Sequence, residues 1–178
     1  MRHRKAGKRL SRNRQERIAL QRNLALGLFE QFGEDREFIT TSRAKAKWVK
    51  PFVEQCITLG VKGYRELQKA ADAQGCTIAE LRAQHAEGPK EERTKFKAFP
   101  PKVRDHLAKS IHFRRQAVKK LRSPEAVRML FDSIAPRYLD RPGGYLRVLK
   151  TGKVNLGDAS ERALLCFVEG PKVEAAEA

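Results

Sequence analysis

Seven of the first fourteen residues are Lys or Arg (Arg2, Arg4, Lys5, Lys8, Arg9, Arg12 and Arg14), none is acidic, and Leu10 is the one large aliphatic side chain among them. Such a run has no hydrophobic face to bury, and its like charges keep a free chain extended. Phosphates remove that repulsion, because they accept bidentate Arg contacts and release their counterions on binding. These residue types at this spacing suit recognition of a polyanion, and residues 1–12, with His3 among them, are expected to form an extended basic arm for nucleic acid. For the run taken alone, a merely solvated basic tail is the competing reading.

No second constellation competes with the arm. His106 and His112 are six apart, which puts them on different faces of a helix, and neither they nor His85 stand beside a Ser or Cys nucleophile. There is no Gly-rich nucleotide loop and no cluster of acids for two-metal or acid–base chemistry. No catalytic residue, metal, cofactor or small-molecule substrate is therefore expected. Cys56, Cys76 and Cys166 follow no ligand spacing and read as buried free thiols in a reducing compartment.

The balance of charge extends the argument beyond the arm. The chain has 178 residues, 40% hydrophobic content and a formal charge of +17. That is enough apolar material for one domain with a real core, and it implies a polyanionic partner. Residues 1–22 carry nine Lys/Arg against Glu16, a net of +8, so +9 remains on residues 23–178. No apolar run approaches the roughly 18 residues of a membrane span, and the basic start lacks the apolar core of a secretory signal. An Arg-rich, acid-poor start also suits an organelle transit peptide. Gly7 and the lack of regular apolar spacing before Ile18 favour the extended arm.

The elements that must position these cations are legible in part. Asn13 with Glu16 has the spacing of a capping box, so a helix is expected from there to Gly33-Glu34-Asp35. Leu20, Leu24, Leu28 and Phe32, flanked by Ala25 and Phe29, give it an apolar stripe and leave Arg14, Arg17 and Arg22 on other faces. Gly27 inside it reads as close packing or as a local weakness. Glu37–Thr41 reads as a strand, and Thr41 or Ser42 as the cap of a helix from Arg43 to about Leu59. That helix starts with Lys45 and Lys47, and Pro51 is expected to kink or break it. Trp48, among apolar residues at helical spacing, reads as core.

Residues 60–110 differ in composition, with mixed charge, several glycines and a Pro100-Pro101 pair. Tyr64–Gln74 is helical in propensity, and Thr77 with Glu80 forms a second capping box whose helix Gly88-Pro89 should stop. Pro89–Pro101 reads as a loop in which Phe96 and Phe99 anchor a linker, or else clamp unstacked bases. A long helix from Lys102 to Leu121 follows, with Val103, Leu107, Ile111, Val118 and Leu121 as its stripe.

Ser123-Pro124-Glu125 combines an N-cap, a first-position proline and a first-turn acid, a helix start whose buried stripe is Val127, Leu130, Phe131 and Ile134 and which Pro136 should stop. Gly143-Gly144 lets the backbone turn tightly or approach a partner, with Arg137, Arg141, Arg147 and Lys150 around it. Strands are expected at Tyr145–Lys150 and Arg162–Val168, joined by a loop over Gly152–Asp158 and paired antiparallel. The expected fold is α+β and two-layered, in the order helix, strand, helices, strand, strand, with helices covering one face of a small mixed sheet.

Three motifs in this order resemble the bacterial large-subunit ribosomal protein family numbered seventeen: Met1-Arg-His-Arg-Lys-Ala-Gly-Lys-Arg-Leu10 with Arg12-Asn13; Thr40-Thr41 followed by Lys45-Ala46-Lys47; and Arg141-Pro-Gly-Gly-Tyr-Leu-Arg-Val-Leu-Lys150. The resemblance covers about residues 1–59 and 111–168. It implies a non-enzymatic structural protein of the cytoplasmic ribosome that binds large-subunit rRNA, beside neighbouring large-subunit proteins near the peptide exit region. Read onto this chain, it implies rRNA contacts from Arg2, His3, Arg4, Lys5, Lys8, Arg9, Arg12, Arg14, Arg17, Arg22, Lys45, Lys47, Arg137, Arg141, Gly143, Gly144, Tyr145, Arg147 and Lys150. Residues 60–110 depart from the family pattern as a lineage-specific helical insertion within a 13–168 domain, Pro142 stands where the family often has a small residue, and Gly33–Arg36 lengthens a turn. The acidic 169–178 tail is expected to be disordered. A free nucleic-acid-binding regulator is the alternative class, but a helix-turn-helix needs a short turn before a polar recognition face, and none is found.

Overall fold

The computed structural model describes residues 8–34, 36–83 and 98–168. The start of the arm (Arg2, His3, Arg4 and Lys5), the Gly88-Pro89 stop, Phe96 and the 169–178 tail lie outside the described residues.

The first capping box forms as its spacing requires. Asn13 Oδ1 accepts from the Glu16 N–H at 2.9 Å, Glu16 Oε2 accepts from the Asn13 N–H at 3.0 Å, and helix α1 runs Arg14–Glu30. Ala25, Leu28 and Phe29 face the core. Nothing lies within 4 Å of a Cβ placed at Gly27, so that glycine serves no close packing and weakens the helix instead.

Strand β1, Phe38–Ser42, passes directly into helix α2, Arg43–Gln74. This helix overruns its expected end at Leu59 by fifteen residues. Pro51 sits on its exposed side, and Gly60 and Gly63 are points of close approach rather than breaks. A Cβ at Gly60 would stand 3.1 Å from Leu130 Cγ, and one at Gly63 only 2.5 Å from a Phe131 ring carbon. Tertiary packing overrides the roughly 1 kcal/mol that each glycine costs a helix. Gly75, at φ +70°, terminates it in the left-handed conformation glycine tolerates. The second capping box then opens helix α3, Ile78–Arg82, with Thr77 Oγ1 accepting from the Glu80 N–H at 3.2 Å.

Helix α4, Pro101–Leu121, buries Val103, Leu107, Ala117 and Leu121. Val118, expected inside, is 41% exposed, and the smaller Ala117 takes the inward position. Ser123 caps helix α5, Pro124–Met129, which continues through a π-helical turn, Leu130–Ile134, into helix α6, Ala135–Arg137. The helical run thus ends one residue past Pro136. In the wider turn the Ala135 N–H bonds back to the Leu130 carbonyl, and the missing N–H of Pro136 falls where the ladder is already displaced.

Strands β2, Leu146–Val154, and β3, Glu161–Phe167, complete a sheet of order β1-β3-β2. The expected mixed sheet is antiparallel throughout. A short turn reverses the chain between β2 and β3, and β1 runs against β3 so that Ser42 at its end pairs with Arg162 at the start of its neighbour. β2 also extends through the expected loop start at Gly152 to Val154, with a register irregularity after Lys150. Helices cover the face bearing Ala163, Leu165, Phe167 and Leu146, while Thr40, Arg147 and Leu149 of the other face are exposed.

Two cores result. The larger joins α1, α2, α5 and the sheet around Phe29, Val53, Ile57, Leu130, Tyr138 and Leu165. The smaller lies between the distal half of α2, α3 and the start of α4, and comprises Ala70, Ala71, Leu81, Phe99, Val103 and Leu107. Phe99, 3% exposed, is therefore an anchor and not a clamp for bases.

Candidate nucleic-acid interface

The described end of the arm makes a tight turn before α1. Leu10 and Ser11 have φ of +52° and +50°, and the Arg12 N–H donates to the Arg9 carbonyl at 3.1 Å. For side chains other than glycine that conformation costs roughly 1–2 kcal/mol per residue. It delivers Lys8 to a cavity of about 370 Å³ at the start of α2, shared with Ser42, Arg43, Lys47, Ser160 and Glu161.

Cations from three segments meet there. Arg43 Nη1 lies 2.5 Å from Glu161 Oε2. Arg43 holds the Glu161 carboxyl below the usual carboxylate range, and Lys150 and Lys47 add to the effect. Lys8 from the arm, Arg43 and Lys47 from α2 and Lys150 from β2 thus surround one acid on β3. Ser42, the N-cap of α2, makes no side-chain capping bond, and no acid occupies the first turn of that helix. The unpaired N–H groups and positive end of α2 therefore face the same basic space. A site of this kind attracts anions, and phosphates above all.

The other expected contact residues divide into exposed cations and structural ones. Arg9, Arg12, Arg14 and Arg147 are exposed, and Arg17 and Lys45 are half-buried. By strand alternation Arg147 lies on the face of β2 opposite Lys150. Arg22 Nε donates to the Lys120 carbonyl at 2.9 Å and ties α1 to α4. Arg137 Nη1 sits 2.5 and 2.7 Å from the two Glu37 oxygens, with its guanidinium 5.1 Å from the Phe32 ring centre, so it clamps β1 to the helical layer. Arg141 Nε donates to the Gly143 carbonyl at 3.2 Å and shapes the diglycine turn. Around Gly143 and Gly144 a Cβ would meet nothing within 4 Å, and Gly144 adopts φ +65°. Tyr145 is 3% exposed and packs 5.2 Å from Tyr138, whose hydroxyl donates to the Val168 carbonyl at 2.7 Å. Its ring is a wall of the core, which rules out stacking on an incoming base. Burial pushes the Tyr138 hydroxyl up to about 12.

Sequence reasoning missed Arg43, Ser160 and Glu161. Arg43 could have been found from its place directly after a β-branched strand. Nothing local marks Glu161, which is 118 residues from its partner. Cys56 is buried and its thiol is pushed up to about 12 by that burial, while Cys76 and Cys166 are half-buried instead of fully enclosed. Among the described residues no three His, Cys, Asp or Glu side chains gather to hold a metal ion, and no helix is long and apolar enough to cross a membrane.

Residues 20–168 match the family model described as ribosomal protein L17. Relatives named large ribosomal subunit protein bL17 align along most of the chain. That of Rhodopirellula baltica is 35% identical over 179 residues, covering 94% of this chain and 81% of the relative. That of Acidobacterium capsulatum is 36% identical over 165 residues, with 93% and 71% covered. That of Kosmotoga olearia is 34% identical over 177 residues, and 99% of each chain is covered.

Proposed function

The chain belongs to the ribosomal protein L17 family, and from that membership we infer that it is a structural, non-catalytic constituent of the large ribosomal subunit that binds large-subunit rRNA. The observation that carries the reading is the meeting of Lys8, Arg43, Lys47 and Lys150 around Glu161 at the uncapped start of α2. Three segments far apart in sequence supply one cationic surface there, and rRNA offers phosphates from several strands at once.

In this reading Arg2, His3, Arg4, Lys5, Lys8, Arg9, Arg12, Arg14 and Arg17 follow the RNA backbone along the arm and the first turns of α1. Lys45, Lys47, Arg147 and Lys150 extend the footprint over the body. Gly143-Gly144 admits backbone close to sugar and phosphate. Arg22, Arg137, Arg141 and Tyr145 act from behind, holding the elements that present these groups. The left-handed turn at Leu10-Ser11 fits the same role, because a conformation that is strained in the free chain is readily held by a bound partner. Residues 60–110 would be a helical insertion with its own small core on the 13–168 domain, facing ribosomal surface beyond the rRNA footprint. Neighbouring large-subunit proteins near the peptide exit region and a cytoplasmic ribosome complete the proposal.

Deleting Met1–Arg12 tests it. The truncated chain should keep its thermal unfolding transition yet fail to co-sediment with large subunits through a high-salt sucrose gradient, whereas the full chain co-migrates in stoichiometric amount. Phosphate contacts weaken steeply with salt, so only a protein held by many at once stays bound. Normal incorporation of the truncated chain would contradict the assignment of the arm.

A further inference from the structure

The last turns of α4 present Arg115, Lys119 and Arg122, all exposed, around Val118, which is itself open to solvent. Arg115 precedes Val118 by three residues and Arg122 follows it by four, the spacings that set side chains on one helical face. Among the described residues no acid pairs with any of the three cations. Their neighbours in the same helix are engaged: Arg114 Nη2 lies 3.6 Å from Asp132, and Lys120 Nζ donates to Gln55 Oε1 at 3.0 Å. Asp105, the one acid of α4, precedes Arg115 by about 15 Å of helix axis. Cations at a helix C-terminus also complement its dipole, but that effect fades within the last turn, and Arg115 stands before it.

Arg122 adds a second signal. It closes α4 at φ +57°, the left-handed position at which glycine is the usual residue. An arginine strains the backbone there, and strained residues persist where a side chain serves a function. Building on the rRNA reading above, we infer that this face of α4 is a second rRNA-binding surface, laid across paired RNA. No exposed Phe, Tyr or Trp stands in α4 for an unstacked base to lie on. A-form RNA instead offers a wide, shallow groove of riboses bordered by phosphates. Val118 meets the riboses, and Arg115, Lys119 and Arg122 take the phosphates over about 10 Å of helix axis. Phosphates repeat along both strands and so meet cations at this separation in any sequence, whereas a protein segment would need an acid placed for each.

The test measures binding of the full chain to purified large-subunit rRNA across a range of salt, with hydroxyl-radical footprinting of the RNA backbone. Arg115→Gln combined with Lys119→Gln should lower the slope of log affinity against log salt by about 1.5, the value for two lost phosphate contacts. It should also expose one stretch of paired backbone that Lys47→Glu leaves protected. Arg122→Gly should raise the melting temperature by relieving the left-handed strain, yet weaken binding about fivefold, the order of one surface charge contact. A gain in stability at no cost in binding would make Arg122 a cap only and overturn the surface, as would an unchanged slope and footprint in the double variant. Exposure of the same stretch by Lys47→Glu would merge this face with the cavity at the start of α2 and end its claim to be a second one. Loss of a neighbouring protein from large subunits carrying the double variant, with the footprint intact, would assign the face to an acidic protein segment and refute the inference. Failure of the wild-type chain to bind the rRNA would overturn both readings.

Discussion

The two halves of α2 are held by different means. Up to Gly63 the helix lies in a core shared with the sheet, α1 and α5, and its first turns point cations at the basic cavity. Beyond Gly63 it leans on α3, Phe99 and the start of α4, through a core of six fully buried residues. Charges follow the same division. Around the first half, Lys47 and Lys150 act on Glu161, which Arg43 already bonds, and Lys8 lines the same cavity. In the second half acids and bases answer each other: Glu66 takes Lys69 and His106, both at 2.8 Å, and Asp132 takes Arg82 at 3.0 Å with Arg114 at 3.6 Å. Surplus cations mark the surface proposed for rRNA, and mutual pairing marks the surface that holds itself.

Truncations in the two cores give the largest contrast. Leu165→Ala and Leu81→Ala each remove a fully buried leucine, at a cost of about 2–5 kcal/mol. Leu165→Ala should lower the global melting temperature. Leu81→Ala should release amide-exchange protection in α3 and the end of α2 while the sheet amides stay protected. A single global loss in both variants would merge the two regions into one cooperative unit.

Gly63→Val probes the junction. Its Cβ would fall 2.5 Å from a Phe131 ring carbon inside the packed interface, and overpacking of this kind costs roughly 1–3 kcal/mol. Thermal unfolding should show that loss, whereas Gly27→Ala, with open space around it, should gain a few tenths to about 1 kcal/mol.

Lys47→Glu separates surface from scaffold. Binding of the full chain to large-subunit rRNA should weaken by about tenfold and lose part of its salt dependence, with stability unchanged. The same reversal at Lys69 in the distal half should leave rRNA binding nearly untouched.

The smallest effect is the response to pH. Hydrogen bonds from Lys69 and His106 hold the Glu66 carboxyl below its usual range. A carboxyl whose folded value is depressed contributes stability that is full above its unfolded value, about 4.3, and is lost as pH falls through the folded value. Amide protection in the distal helices should therefore fall in acid below about pH 4.3. Glu66→Gln should remove that dependence and leave the sheet as it was.

What could be read without the fold was local. Asn13 with Glu16, Thr77 with Glu80 and Ser123 before Pro124 all formed the caps their spacing called for, because each needs only partners three residues apart. The stripe Val127, Leu130, Phe131 and Ile134 was legible by periodicity. Pro51, Gly60 and Gly63 misled, since breakers are read by intrinsic propensity, and Leu130, Ala135 and Phe131 supply packing that outweighs it. Of the candidate site, the cations of the arm and of Lys45–Lys47 were visible as composition. Which of the remaining cations are structural was not: Arg22, Arg137 and Arg141 look like Lys47 on paper and differ only in what lies opposite them.

The sequence by itself determined the polyanionic partner, the capped helices and the α+β order, since net charge is a sum over the chain and caps act over a single turn. Tertiary structure alone decided the length of α2, the antiparallel register and the meeting of Lys8, Lys47 and Lys150 near Glu161, because each depends on residues from different elements brought together by burial of the core.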